Sequence, residues 1–321
     1  MSASNPDPAL PMLVHAPAKL NLGLYLGRSR PDGLHELCSL FEPLALADLL
    51  RIEEAERDEV ICPGVEGENL AARALAALRE RGWDAPPLRI EIEKRTPVAA
   101  GLGGGSADAA AVLRLAAGSE GEVAAGPPDR VRSSPYWLRG SANATAGVIA
   151  DLPAIAAELG ADVPSQLRPV LALVRGAGER VEPLPAPAEH AALLLPSGGG
   201  LSTAAVFAEA DRLGLGRDPA ELDEIAPRLR AAAGAGASPL AYVDLLINDL
   251  EPAAVSLRPD IGTALDALRN TGAPAVFLSG SGPTAVALFP TLAEAEHAAG
   301  TLDRDDAIVC LAGRGPLGAP R

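Results

Sequence analysis

The chain has 321 residues, of which 48% are hydrophobic and only 3% aromatic, and it carries a formal net charge of −15. That apolar content excludes global disorder, and the negative balance excludes a general nucleic-acid binder, which needs a basic face. No apolar run approaches the ~20 residues that span a bilayer, and Cys38, Cys62 and Cys310 form no C-x-x-C pair, so the expectation is a cytoplasmic protein with neither a disulfide framework nor a structural zinc site.

Residues 1–11 are polar and proline-rich, which reads as a disordered lead-in rather than a secretory signal. Residues 13–18 and 20–26 read as strands interrupted around Pro17. Alternation puts Asn21, Gly23 and Tyr25 on one face and Leu20, Leu22, Leu24 and Leu26 on the other. Pro31-Asp32-Gly33 has turn chemistry, and strands are expected over 34–46 and 49–53. Residues 69–81 form an amphipathic helix with Leu70, Ala74, Leu75 and Leu78 inward and Gly82 as its stop. A strand over 88–93 follows.

That strand runs into Pro97-Val98-Ala99-Ala100-Gly101-Leu102-Gly103-Gly104-Gly105-Ser106 and then an alanine-rich helix. Glycines let backbone N–H groups approach a bound group closely. The first N–H groups of a helix lack intrahelical partners and sit at its positive end. Ser106 and Asp108 are the expected caps, and Ala109, Val112, Leu113 and Ala116 the apolar face. The loop reads as a phosphate cradle. It is not a Walker loop, because Ser106-Ala107 stands where Lys-Ser or Lys-Thr is required, and it lacks the last glycine of the dinucleotide fingerprint.

Residues 118–145 look irregular and long for a connection. Beyond them the pattern predicts a helix at 151–159, a hairpin of 170–174 with 180–184, and a strand at 191–195. Helices are expected at 202–213, 219–233, 243–249 and 260–271, strands at 275–278 and 285–289, a helix at 292–302 and a last strand at 307–311. Irregular alternation favours α+β over a doubly wound sheet. A weak boundary near 165–170 divides the chain into 1–167 and 168–321.

Four further stretches matter together: Ala16-Pro17-Ala18-Lys19-Leu20-Asn21 with Arg30-Pro31-Asp32-Gly33-Leu34-His35, Gly160-Ala161-Asp162-Val163-Pro164, Asn248-Asp249-Leu250-Glu251, and Leu278-Ser279-Gly280-Ser281-Gly282-Pro283-Thr284. In this order around the glycine loop they resemble the GHMP kinases (galacto-, homoserine, mevalonate and phosphomevalonate kinases), over about residues 13–313. The opening resembles most the branch that phosphorylates a sugar alcohol carried on cytidine diphosphate in the non-mevalonate isoprenoid pathway.

The resemblance implies a two-domain α+β GHMP-kinase fold. Residues 1–167 would be a ribosomal-protein-like ATP-binding domain, and 168–321 a ferredoxin-like domain on the substrate side. It implies ATP with Mg²⁺, a small-molecule substrate, and a monomer or weak homodimer. Asp162 is carried over as the base and Lys19 as its partner; a nearby ammonium favours a charged carboxylate and steadies a developing alkoxide. Pro97, Ala99 to Ser106, Asn69 and Lys94 fall on the nucleotide side, and Ser106 is the one legible candidate for Mg²⁺ besides Asp162. Asn21, His35, Phe207, Ser279 and Gly280 fall on the substrate side.

Residue by residue, plainer readings stay open. Asp162 alone is a cap or turn residue, Asn69 a helix cap, Lys94 a solvated strand lysine, and Asn248 to Glu251 a structural turn. Three departures from the family pattern are Leu34 in place of a tyrosine that stacks on the base, with Tyr25 as a possible substitute; Ser165 to Pro169 in place of an aromatic and two glycines; and the long 118–145 segment. Another GHMP-type small-alcohol kinase, or a catalytically silent nucleotide-binding protein, remain the alternatives at this level.

Overall fold

The computed structural model describes residues 11–118 and 142–315; the stretch expected to be disordered, 1–11, lies outside them but for Pro11, as does most of the 118–145 segment. Its spine is a long hairpin, β1 (Met12–Ser29) and β2 (His35–Glu54), joined by a turn at Pro31-Asp32-Gly33. Each arm is one continuous strand where the sequence pattern suggested two, because Pro17 falls at a register shift that the pairing absorbs.

A second shift, between Asn21 and Gly23, inserts one extra residue in β1. Such a bulge reverses which face each later side chain takes. The alternation expected for 20–26 is therefore corrected. Tyr25 packs with Leu20 and Leu22, whereas Leu24 and Leu26 turn to the side of Asn21, as their register with Ser39 and Leu37 requires.

The outer edge of β2 is shared by three partners. Residues 37–41 pair with β5 (Ala172–Gly176), Leu44 with β10 (Ile308–Ala312), and 49–54 with β4 (Leu88–Glu93). β3 (Glu59–Ile61) lies beyond β4, and β6 (Arg180–Pro183) beyond β5. β10 carries the sheet on to β7 (His190–Pro196), β9 (Thr284–Phe289) and β8 (Ala275–Leu278).

Three apolar layers follow. Ile52, Ile90 and Ile92 pack under α1 (Leu70–Glu80), α2 (Gly104–Ala117) and α3 (Ala142–Leu159). Ala191, Leu193 and Leu195 of β7 face α5 (Thr203–Leu213), α7 (Glu251–Leu257), α8 (Pro259–Asn270) and α9 (Leu292–Ala299). Ala192 and Leu194 face the other way, toward α6 (Pro219–Ala233). A strand buried on both faces reads as the unbroken apolar run seen there.

Several sequence expectations are corrected. α3 begins at Ala142, inside the stretch that looked irregular, and carries Pro153 within it. Residues 243–249 are not one helix but a short 3₁₀ turn and an extended strap, with α7 starting at Glu251. The proline at the second position of α7, tolerated in a first helical turn, is the local signal for that start. The three-residue β3 is too short for alternation to reveal.

Candidate active site

The glycine loop lies against β1. Lys19 donates its backbone N–H to the Leu102 carbonyl at 2.9 Å. Gly101 (φ 76°) has no room for a side chain, since a Cβ there would stand 2.7 Å from the carbonyl oxygens of Ser279 and Gly282. Gly103 (φ 67°) turns the chain into α2, and a Cβ on it would meet the Lys19 stem at 2.9 Å. Ala99 also holds a left-handed φ of 53°, a strained backbone of the kind that clusters at ligand clamps.

No side chain caps α2. The expectation that Ser106 and Asp108 would do so is corrected: the first helical return is Ala107 N–H to Gly103, and Asp108 is buried beneath the helix. The N–H groups of Gly104, Gly105 and Ser106 thus have no intrahelical acceptors, as a helix-end anion site requires. α2 is also apolar nearly all round rather than on one face, being enclosed by the sheet, α1 and α3.

Beneath this terminus, Lys94 Nζ lies between two buried carboxylates, bonding Asp48 closely and Asp108 at 2.8 Å. Asp48 also accepts the N–H groups of Arg95 and Thr96, each at 2.7 Å. Lys94 is therefore not a solvated strand lysine. Burial works against its charge, but the two carboxylates outweigh that and raise its pKa. Burial and the neighbouring Asp48 push Asp108 from 3.8 to about 7, against the pull of Lys94.

In that window the folded protein keeps a proton that the unfolded chain releases, so stability falls as pH rises toward 7. Asp108→Asn is expected to remove this contribution. Urea midpoints of the two proteins should converge with falling pH and separate in the variant's favour near pH 7; parallel curves would count against it.

Asp162 stands at the N-cap of the four-residue α4 (Val163–Gln166), yet its side chain makes no capping bond. Its Oδ2 lies 3.3 Å from Lys19 Nζ, in a pair where the lysine is buried and the aspartate half-open. Lys19 also donates to Asn21 Oδ1 at 2.6 Å and the Gly101 carbonyl at 3.5 Å, and lies 4.7 Å from the centre of the Phe41 ring. Asn21 in turn donates from Nδ2 to Ser39 Oγ at 3.2 Å. Lys19 and Asn21, two residues apart, share a face with Phe41, the register partner of Asn21, and so with Ser39.

The second glycine turn closes on the same place. Buried Ser279 accepts the Asn21 N–H and donates to the Gly101 carbonyl, both at 3.3 Å. A Cβ on Gly280 would stand 2.9 Å from Asn21 Oδ1 and 3.7 Å from Lys19 Nζ. Asn248 donates to the carbonyls of Leu278 and Gly280, each at 2.7 Å, while Asp249 holds Arg217 and the Leu26 N–H. That segment is the structural strap its sequence suggested.

His35 is buried at the far end of the same hairpin face. Its Nε2 lies 2.8 Å from Asp211 Oδ1, and Phe207 tilts against its ring at 5.0 Å. Leu34 is 52% exposed. Tyr25 does not stand in for it: its ring is buried in the opposite layer, its hydroxyl donates to Leu245, and Arg217 lies across its face. Asn69 caps α1 through its Oδ1.

Sequence reasoning missed Asp211, Ser39, Phe41 and Asp48. Only Asp211 left a local trace, four residues after Phe207 and so on the same face of α5.

Sequence profiles agree with this geometry. The GHMP kinases N terminal domain matches residues 69–127, and the GHMP kinases C terminal domain residues 228–306. A 4-diphosphocytidyl-2-C-methyl-D-erythritol kinase of Nocardia farcinica is 40% identical over 281 residues, covering 85% of this chain and 83% of the relative. One from Salinispora arenicola is 35% identical over 329 residues, covering 97% and 94%. The crystal structure of a 4-(cytidine 5'-diphospho)-2C-methyl-D-erythritol kinase superposes with a TM-score of 0.70 at 34% identity, over 95% of this chain and 100% of that one.

The chain belongs to the GHMP kinases, and its two-domain α+β fold is theirs. Within them it belongs to the family of the 4-diphosphocytidyl-2-C-methyl-D-erythritol kinases.

Proposed function

We propose that the chain moves the γ-phosphoryl group of ATP to a hydroxyl of 4-diphosphocytidyl-2-C-methyl-D-erythritol, with Asp162 taking the hydroxyl proton and Lys19 steadying the developing charge. The phosphotransfer to an alcohol, in isoprenoid biosynthesis, is the activity of its family. One observation carries the residue assignment: the Asp162 carboxylate is spared from capping its own helix and is instead turned to Lys19. Phosphoryl transfer asks for little more than positioning, charge neutralisation and an acceptor for that proton.

The uncapped start of α2 would hold the ATP phosphates, with Pro97 and Ala99 to Ser106 forming the wall of the cradle. Asn69 and Lys94 are proposed on the adenine side, besides their observed bonds, by which Asn69 caps α1 and Lys94 joins Asp48 to Asp108. Mg²⁺ usually keeps several waters and takes one or two protein ligands besides the phosphates. The Ser106 hydroxyl and the half-open Asp162 carboxylate fit that modest demand, and no group of three or more ligating side chains exists among the described residues. The ion would neutralise phosphate charge.

On the substrate side, Asp211 accepts from His35 Nε2, which leaves Nδ1 as the ring nitrogen to accept from the cytosine amino group. Phe207 would supply one stacking face, while Asn21, Ser279 and Gly280 line the methylerythritol end. Phe41, beside Lys19, lies six positions along β2 from His35, roughly 20 Å of strand. A nucleoside diphosphate ester is long enough for that span, and a small free alcohol is not.

We further propose the division of labour at 1–167 and 168–321, a cytoplasmic monomer or weak homodimer, and no nucleic-acid or membrane partner. No helix among the described residues is long and apolar enough to cross a membrane.

The test is ADP release with Mg-ATP and the cytidylyl substrate, run beside mevalonate and homoserine. Turnover on the cytidylyl compound alone supports the reading, and turnover on another alcohol discards the role given to His35. His35→Ala should raise KM for the cytidylyl substrate roughly 10- to 100-fold, the cost of leaving the cytosine amino group without its acceptor, and leave KM for ATP unchanged. An equal rise in both would point to a merely structural histidine.

A further inference from the structure

Opposite the His35 face, the hairpin borders a cavity of about 380 Å³ whose lining includes five arginines, Arg28, Arg30, Arg175, Arg180 and Arg217, against two carboxylates, Glu36 and Asp223. Strand alternation separates it from the site above. His35 points to one face of β2, and Glu36 and Cys38, which line this cavity, point to the other. Arg175 shares the Cys38 face because the two are register partners.

Arg175 and Arg180 are also directly paired across β5 and β6. Like charges placed opposite each other in a sheet destabilise it. Glu36 is engaged by Arg180 and lies 3.6 Å from Arg30, so Arg175 is the member of the pair left without a carboxylate. Arg28 is taken by Asp218 and Arg217 by Asp249. Among the described residues, no carboxylate stands within ion-pair distance of Arg175.

An acidic protein thus keeps a cross-strand arginine pair facing a cavity whose lining includes Pro219 and Leu222 of α6. We propose that this cavity is a second ligand site, for a small phosphate- or diphosphate-bearing molecule whose anionic group sits between Arg175 and Arg180. Planar guanidinium forks match phosphate oxygens two at a time, and Pro219 and Leu222 would accept a short apolar substituent. Arg217 hydrogen-bonds the Leu26 carbonyl through its own N–H and grips Asp249 of the strap, so occupancy would be felt on the hairpin that carries Asn21 and His35.

The experiment is calorimetric titration of inorganic diphosphate, then inorganic phosphate, into the full chain with ADP present to fill the cradle at α2. The native protein is expected to bind diphosphate, and Arg175→Gln and Arg180→Gln each to weaken it roughly tenfold or more. Without diphosphate, Arg175→Gln should melt at or above the native temperature, because it removes a repulsion, which keeps loss of binding distinct from loss of fold. Absence of binding to the native chain, or affinity untouched by either substitution, overturns the proposal.

Discussion

Replacing Asp162 by asparagine is expected to lower kcat by about 10²–10⁴-fold, the usual contribution of a positioned general base. The fold should be unaffected. The side chain caps nothing, α4 is held instead by the Ser165 hydroxyl on the Asp162 carbonyl and by Arg114 on the Gln166 carbonyl, and asparagine keeps the shape. KM for ATP should change far less than kcat, since the cradle at α2 is built without this residue and Ser106 stays to hold Mg²⁺. Steady-state kinetics beside a melting curve checks both halves. A variant that retains more than a tenth of native kcat would move the proton elsewhere, leaving Asp162 as a partner for the Lys19 charge only.

The second large effect is on stability. Asp48→Ala is expected to cost about 3–4 kcal/mol, because it strands the N–H groups of Arg95 and Thr96 and takes from Lys94 one of its two carboxylates. Release of repulsion between Asp48 and Asp108 offsets part of the loss. Those N–H groups lead directly into the glycine loop, so KM for ATP should rise in the same variant while KM for the cytidylyl substrate holds. Urea unfolding gives the first figure and two-substrate kinetics the second. A loss under 1 kcal/mol would mean that the loop is held by its glycine contacts and Lys19 alone.

Both variants act where a short sequence signal meets a distant partner. The glycine loop, the turn at Pro31-Asp32-Gly33, the capping Asn69 and the extent of α6 were legible because each depends on neighbours within a few residues: backbone freedom, a hydrogen bond to the next turn, or a helical period. Lys19 and Asp162 were marked by motifs, but the motifs could not say whether the aspartate side chain was spent on its own helix. That answer needed β1 and α4 in the same frame.

What only the tertiary structure decided is non-local by nature. Asp48, Lys94 and Asp108 come from β2, the end of β4 and α2, and nothing in their spacing announces a buried trio. Asp211 reaches His35 from 176 residues away. The bulge between Asn21 and Gly23 reverses the faces of β1 because strand pairing, not alternation within one strand, sets register. By itself the sequence determined the class of chemistry and the backbone that cradles phosphate. The fold decided which charges face each other, because desolvation and pairing depend on what the rest of the chain brings alongside.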